Sequence, residues 1–106
     1  MTALFSIDPQ AVRVVRAESK AQILDMLAAC FATVYRLDRA EVQERIEERE
    51  SLGSTGFGRG VAIPHARLDG LSRPVAVFLR LEEPVDFDSA DGMPVDCVFE
   101  IGRAHV

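Results

Sequence analysis

Residues 53–70, GSTGFGRGVAIPHARLDG, hold most of this chain's options for chemistry. Gly53, Gly56, Gly58 and Gly60 precede His65, and Ser54, Thr55, Arg59, Arg67 and Asp69 share the stretch. Closely spaced glycines can turn successive backbone N–H groups toward an anion, so nucleotide binding is the first possibility to test. Gly53 and Gly58 have P-loop spacing, yet Arg59 and Gly60 stand where a Lys and a Ser or Thr are required. The phosphate-pairing ammonium and the magnesium-holding hydroxyl are therefore missing. Gly58 and Gly60 begin a dinucleotide fingerprint, but Ile63 occupies the third glycine position and the segment runs into a strand pattern instead of a helix.

His65 is what remains. An imidazole, with an ordinary pKa of about 6.5, keeps an unprotonated, nucleophilic nitrogen at neutral pH. A metal centre needs three or four ligands at suitable spacing, whereas His105 sits at the far end and Cys30 and Cys97 are remote in sequence, so no metal is expected. Ser54, His65 and Asp69 contain the residue types of a hydrolytic triad, but no strand-to-helix nucleophile elbow surrounds Ser54. The plainer alternative is a histidine that closes the turn after Pro64 within a glycine-rich hairpin.

The elements that must position this stretch can be read from periodicity. FSIDPQAV reads as a short helical turn around Asp8 and Pro9, and VRVVRA as a first strand. From Ser19, a capping residue, Ile23, Leu24, Leu27, Ala28, Phe31, Val34 and Tyr35 recur at helical spacing. Asp38 followed by Glu41 forms a capping box that opens a second, heavily charged helix with Val42 and Ile46 on its apolar stripe, ending near Gly53. GVAIPH, PVAVFLRL and PVDCVF then read as strands. A helix pair followed by short strands implies an α/β fold, with a mixed sheet flanked by helices.

At 106 residues, 48% hydrophobic and 27% charged, the chain fits one soluble domain. A net charge of −5 opposes non-specific attraction to nucleic acid or anionic lipid. No apolar run reaches the length of a membrane span and MTALFSIDPQ lacks the features of an export signal, so the cytoplasm is the expected compartment. Cys30 and Cys97 fall in a helical and a strand pattern, so free buried thiols are expected.

RESLGSTGFGRGVAIPHARLDG resembles the active-site signature of enzyme IIA domains of the bacterial phosphotransferase system, mannitol/fructose class. LEEPVDFDSADGMPVDCVF is similar to the strand-turn-strand segment that follows in the nitrogen-regulatory branch. The resemblance implies the fold of that family and a phosphocarrier in which His65 accepts a phosphoryl group from a histidine-containing phosphocarrier protein. It implies further that Arg49, near the end of the preceding helix, lies beside that histidine. No cofactor is implied. An enzyme IIB domain, or a regulated transporter or kinase, is the implied downstream partner. Two alternatives are a sugar-specific IIA domain for fructose or mannitol uptake and a binding module switched by histidine phosphorylation.

Phosphoryl transfer needs an in-line nucleophile and donors for three equatorial oxygens, and a guanidinium such as that of Arg49 suits this by its planar fork of N–H groups. Ser54 and Thr55 are candidates to stabilise the phosphoryl group through their hydroxyls, and Arg59 and Arg67 to guide an acidic partner face. On this reading Gly56, Gly58 and Gly60 give tight turns and leave room for the partner's histidine to approach.

The end of the chain departs from the family pattern. EIGRAHV puts Glu100 into a strand expected to be buried and continues as a polar tail. The heptapeptide resembles the in-frame translation of a common sequencing adapter. Residues 1–99 are therefore expected to be a truncated IIA domain, and 100–106 a non-native tail that removes His105 from consideration. The resemblance implies covering C-terminal helices and a second active-site histidine that this sequence does not contain, so the 106-residue form is expected to be poorly soluble or molten, and inactive as a phosphocarrier.

Overall fold

The computed structural model of the chain describes residues 6–104. His105 lies outside the described residues, as does Phe5 of the expected helical turn. Eight elements follow in order: β1 (Ser6–Val15), α1 (Lys20–Tyr35), α2 (Arg39–Ser51), β2 (Gly56–Gly58), β3 (Val61–Ala62), β4 (His65–Leu68), β5 (Val75–Val85) and β6 (Val95–Ala104). The strands form one mixed sheet in the order β1-β5-β6-β3-β2, with β4 also paired to β6. β1 runs parallel to β5, β5 antiparallel to β6, and β3 and β4 both parallel to β6.

Both helices begin where the sequence places their caps. Ser19 Oγ accepts from the Gln22 N–H at 3.1 Å, and Asp38 Oδ1 from the Glu41 N–H at 3.1 Å, each satisfying a donor that a helix start leaves free. α1 turns Ile23, Leu27 and Phe31 onto the sheet, and α2 adds Val42 and Ile46. Beneath them lie Val77 and Leu79 of β5, Val98 of β6 and Leu68 of β4, all buried. Leaving out Cβ at Gly102 lets two layers meet, because a methyl there would stand 2.8 Å from Leu68 and 3.1 Å from Phe31. Cys30 and Cys97 are free thiols, and burial pushes both up from the usual thiol range.

The expected helical turn around Asp8 and Pro9 is instead part of β1. Ile7 pairs with Ala76 and Val12 with Phe78, so residues 8–11 bulge out over a single partner position. The local turn chemistry is real, since Asp8 Oδ1 accepts from the Gln10 N–H at 2.8 Å. Pairing with β5 overrides it, and Pro9, which has no N–H to give a ladder, is accommodated in a bulge on an edge strand. Tyr35 fastens the bulge: its hydroxyl donates to the Ala76 carbonyl at 2.6 Å and accepts from the Asp8 N–H at 3.0 Å.

GVAIPH, read as one strand, is two. The offset between partners on β6 is the same for Val61 and Ala62 as for His65 to Leu68, so β3 and β4 are one strand interrupted at Ile63–Pro64. Pro64 supplies no donor there, but its carbonyl accepts from the Ile101 N–H at 3.2 Å and holds the register.

The polar tail expected after Phe99 is strand: β6 runs on through Ala104 and pairs with β4. Glu100 is fully buried, as its strand position implies, and neither of its carboxylate oxygens has a hydrogen-bond partner. Burial and the nearby Glu50 hold its carboxyl well above the ordinary carboxylate range. A folded-state pKa above the unfolded one means the native state binds more protons. The destabilisation is thus absent in acid, where both states are protonated, and grows as pH rises past about 4.3, the ordinary Glu value. Glu100→Leu is expected to raise stability by about 1–3 kcal/mol near neutral pH, with the gain shrinking toward pH 4. Denaturant midpoints of the two chains across pH check this; a gain that widens in acid contradicts it.

Candidate functional site

His65 opens β4 with its imidazole exposed, while Ala66 and Leu68 point into the helix layer. The alternation of the pleat thus sends His65 and Arg67 to the same solvent side. α2 ends against β4, and its last turn brings Arg49 over that side. Two clefts meet there, and His65 and Arg49 line both. Arg45, Arg67 and Arg103 add guanidinium groups to one. Ser54, Thr55 and Gly56 border the other. One Arg49 nitrogen donates to the Gly53 carbonyl at 3.1 Å, which pins the guanidinium over the loop, and a guanidinium has further N–H groups to offer an anion.

The loop after α2 is held from beneath by a buried carboxylate. Glu50 Oε1 accepts from the Thr55 N–H at 2.8 Å, and Glu50 Oε2 from the Thr55 hydroxyl at 2.7 Å. The Glu50 side chain is 4% exposed, and the Lys20 ammonium meets Oε1 at 2.9 Å. Lys20 also sits 4.8 Å from the centre of the Phe87 ring and 3.7 Å from an Asp88 oxygen. The Ser54 hydroxyl donates to the Phe87 carbonyl at 2.6 Å and accepts from the Gly56 N–H at 3.0 Å.

These bonds specify what the candidate residues do. His65, Arg49 and Arg67 share one cleft and His65, Arg49, Ser54 and Thr55 the other, whereas Arg59 borders neither. Arg59 is in a left-handed turn at φ 56°, its N–H donating to Asp91 at 2.9 Å. The hydroxyl protons of Ser54 and Thr55 are both given to protein acceptors. With its proton on Phe87, Ser54 has none to pass to His65, and Asp69 stands beside Glu41, whose carboxyl it holds above the ordinary range. No triad is assembled. Among the described residues there is no group of three or more His, Cys, Asp or Glu arranged to hold a metal.

Lys20 and Glu50 escaped the reading of the sequence. The available signal was faint: Lys20 is the chain's single lysine, and it stands in the first turn of a helix, where a positive charge opposes the helix dipole.

The family described as "Phosphoenolpyruvate-dependent sugar phosphotransferase system, EIIA 2" matches residues 6–103. The nitrogen regulatory protein of Pseudomonas aeruginosa is 46% identical over 82 residues, 76% of this chain and 53% of that protein. The chain thus spans about half the length of the curated relatives it matches. The crystal structure of nitrogen regulatory protein IIA-Ntr from Neisseria meningitidis superposes with a TM-score of 0.87 at 34% identity, covering 94% of this chain and 69% of that one. IIA mannitol of Escherichia coli, in its complex with phosphorylated IIB mannitol, superposes with a TM-score of 0.78 at 18% identity over 95% of this chain and 72% of that one, a likeness of fold. The mixed sheet flanked by helices is therefore the fold expected from the sequence. No helix among the described residues is long and apolar enough to cross a membrane.

The glycines of the loop have a different use from the open approach expected of them. Gly58 and Gly60 adopt φ of 110° and 83°, which turns require and side chains disfavour. Gly56 packs face to face with Ser89, where a Cβ would stand 2.2 Å from Oγ and 2.9 Å from Cα. Gly56→Ala is accordingly expected to remove about 1–3 kcal/mol of stability, because backbone as well as side chain must shift. A denaturant midpoint equal to that of the unaltered chain would show the loop to be slack.

Proposed function

Because the chain belongs to the EIIA 2 family of the phosphoenolpyruvate-dependent sugar phosphotransferase system, we propose that it is a phosphocarrier with a nitrogen-regulatory role. It accepts a phosphoryl group on His65 from a histidine-containing phosphocarrier protein. The observation that supports this most directly is the exposed imidazole of His65 sharing two clefts with the guanidinium of Arg49. The nitrogen-regulatory assignment rests on the named relatives.

In the transfer, the unprotonated ring nitrogen of His65 attacks phosphorus in line. The N–P bond to the carrier's ring breaks and its electron pair stays on that ring, while the lone pair of His65 forms the new N–P bond. The other ring nitrogen of His65 keeps its proton throughout. Arg49 meets the equatorial oxygens, worth a few kcal/mol in comparable donor deletions. Ser54 and Thr55 act by shaping the loop. Arg67, beside His65, receives an acidic face of a partner, and Arg59 contributes only long-range charge. An enzyme IIB domain, or a regulated transporter or kinase, receives the signal or the phosphoryl group downstream, and the cytoplasm is the compartment of the exchange.

Phosphoenolpyruvate and the general components of the relay are expected to label His65 through an acid-labile N–P bond in a form continued past Phe99 with the C-terminal segment of the Pseudomonas relative. The 106-residue chain is expected to take little label. His65→Ala abolishes labelling with the denaturant midpoint nearly unchanged, and Arg49→Ala slows transfer by about a hundredfold, a loss of roughly 3 kcal/mol in transition-state stabilisation. An unlabelled continued form overturns the assignment. Rapid onward transfer to a fructose or mannitol IIB domain replaces the nitrogen-regulatory role with sugar uptake.

A further inference from the structure

We infer that Lys20 and Glu50 are positioning residues for phosphoryl acceptance at His65, acting through Thr55 and Ile63; this rests on the function proposed above. The connection is continuous. The Lys20 ammonium meets Glu50 Oε1 at 2.9 Å, and the two carboxylate oxygens take both donors of Thr55, the N–H at 2.8 Å and the hydroxyl at 2.7 Å. The Thr55 carbonyl accepts from the Ile63 N–H at 3.0 Å. Ile63 is the first residue of the break that separates β3 from β4, and His65 is the first residue after it. The angle at which the chain re-enters the sheet, and with it the aim of the imidazole, is therefore set by a bond that ends on Glu50.

Burial makes that bond selective. A carboxylate almost wholly removed from water persists as an anion only when paired and hydrogen-bonded, and Glu50 has all three contacts. Arg49, the neighbouring residue, faces the site where a phosphoryl dianion arrives. Without Lys20, the Glu50 charge stands uncompensated beneath the loop, with only the two Thr55 donors to meet it. With Lys20, the pair is neutral, and the loop keeps the bonds that carry it to Ile63. The lysine is held for this purpose between Glu50, Asp88 and the Phe87 ring, and only 21% of its side chain is exposed. Lys20 itself borders neither cleft, so it can affect the transfer step without touching the partner.

The test measures phosphoryl transfer in the continued form with the concentration of phosphorylated carrier protein varied. Lys20→Met and Glu50→Gln are each expected to lower kcat by about tenfold or more with KM within about twofold, since the partner's contacts are unchanged. Lys20→Arg, which keeps the charge, is expected to restore kcat to within about threefold. The double variant is expected to be no slower than Glu50→Gln alone, because the two residues act as one unit. Should the methionine variant fail to fold, Thr55→Val, which deletes one hydroxyl of a half-buried residue, is read in its place and is expected to lower kcat about threefold with KM unchanged. Folded variants that transfer at the native kcat overturn the inference, as does a loss confined to KM. A continued form with Lys20 and Glu50 unaltered that takes no label at His65 overturns the proposed function instead, so the two failures are distinguishable.

Discussion

A carboxylate taken out of water has to be met on every side, and the way Glu50 is met organises the working end of this protein. Its backbone lies in the last turn of α2, its oxygens hold the loop that leaves the helix, and its counter-charge comes from the start of α1. Helix pair and glycine-rich loop are thereby joined by charge-assisted bonds in a region of low dielectric, where such bonds are strong and where an unpaired member is severely penalised. The loop can be rich in glycine without being loose, because its conformation is fixed by what Glu50 accepts and by the contact of Gly56 with Ser89.

Glu100 shows the opposite case in the same neighbourhood. It too is a buried carboxyl, but neither of its side-chain oxygens finds a hydrogen-bond partner, and burial pushes its pKa well above the ordinary carboxylate range. The contrast separates a charge built into a fold from one that merely lies inside it. Glu50 has a cation in direct contact and two hydrogen-bond donors; Glu100 has the Glu50 charge against it, and the Arg49 charge only partly offsets burial.

Much of this architecture is legible in the sequence where a single element decides the outcome. Ser19 and Asp38 cap helices because capping is local, and the apolar spacing from Ile23 to Phe31 needs only the helical period. Residue type and motif single out His65 and Arg49 as candidates, and the fold places the two on the same clefts. What could not be read depended on partners distant in the chain. Asp8 and Pro9 have the composition of a turn, and only pairing with β5 reveals a bulged strand. Glu50 looked like one acid among many on a charged helix, since nothing in the run RIEERES tells which carboxyl is covered. The hydroxyls of Ser54 and Thr55 were legible as donors, but their acceptors, at Phe87 and Glu50, were not.

The break at Ile63–Pro64 has a further consequence. β3 and β4 keep one register against β6, so the interrupted residues still count in the two-residue period of a strand. Ala62, Ala66 and Leu68 lie on the covered side, and His65 on the open one. The segment between Ala62 and His65 is consequently a parity element. A one-residue change carried into the register would invert every side chain that follows, hiding the imidazole beneath the helices and turning Leu68 out to water. Sequence drift can alter the residues of this short span, but an odd change in their number keeps His65 in the open only where a bulge takes up the difference, as β1 does at residues 8–11.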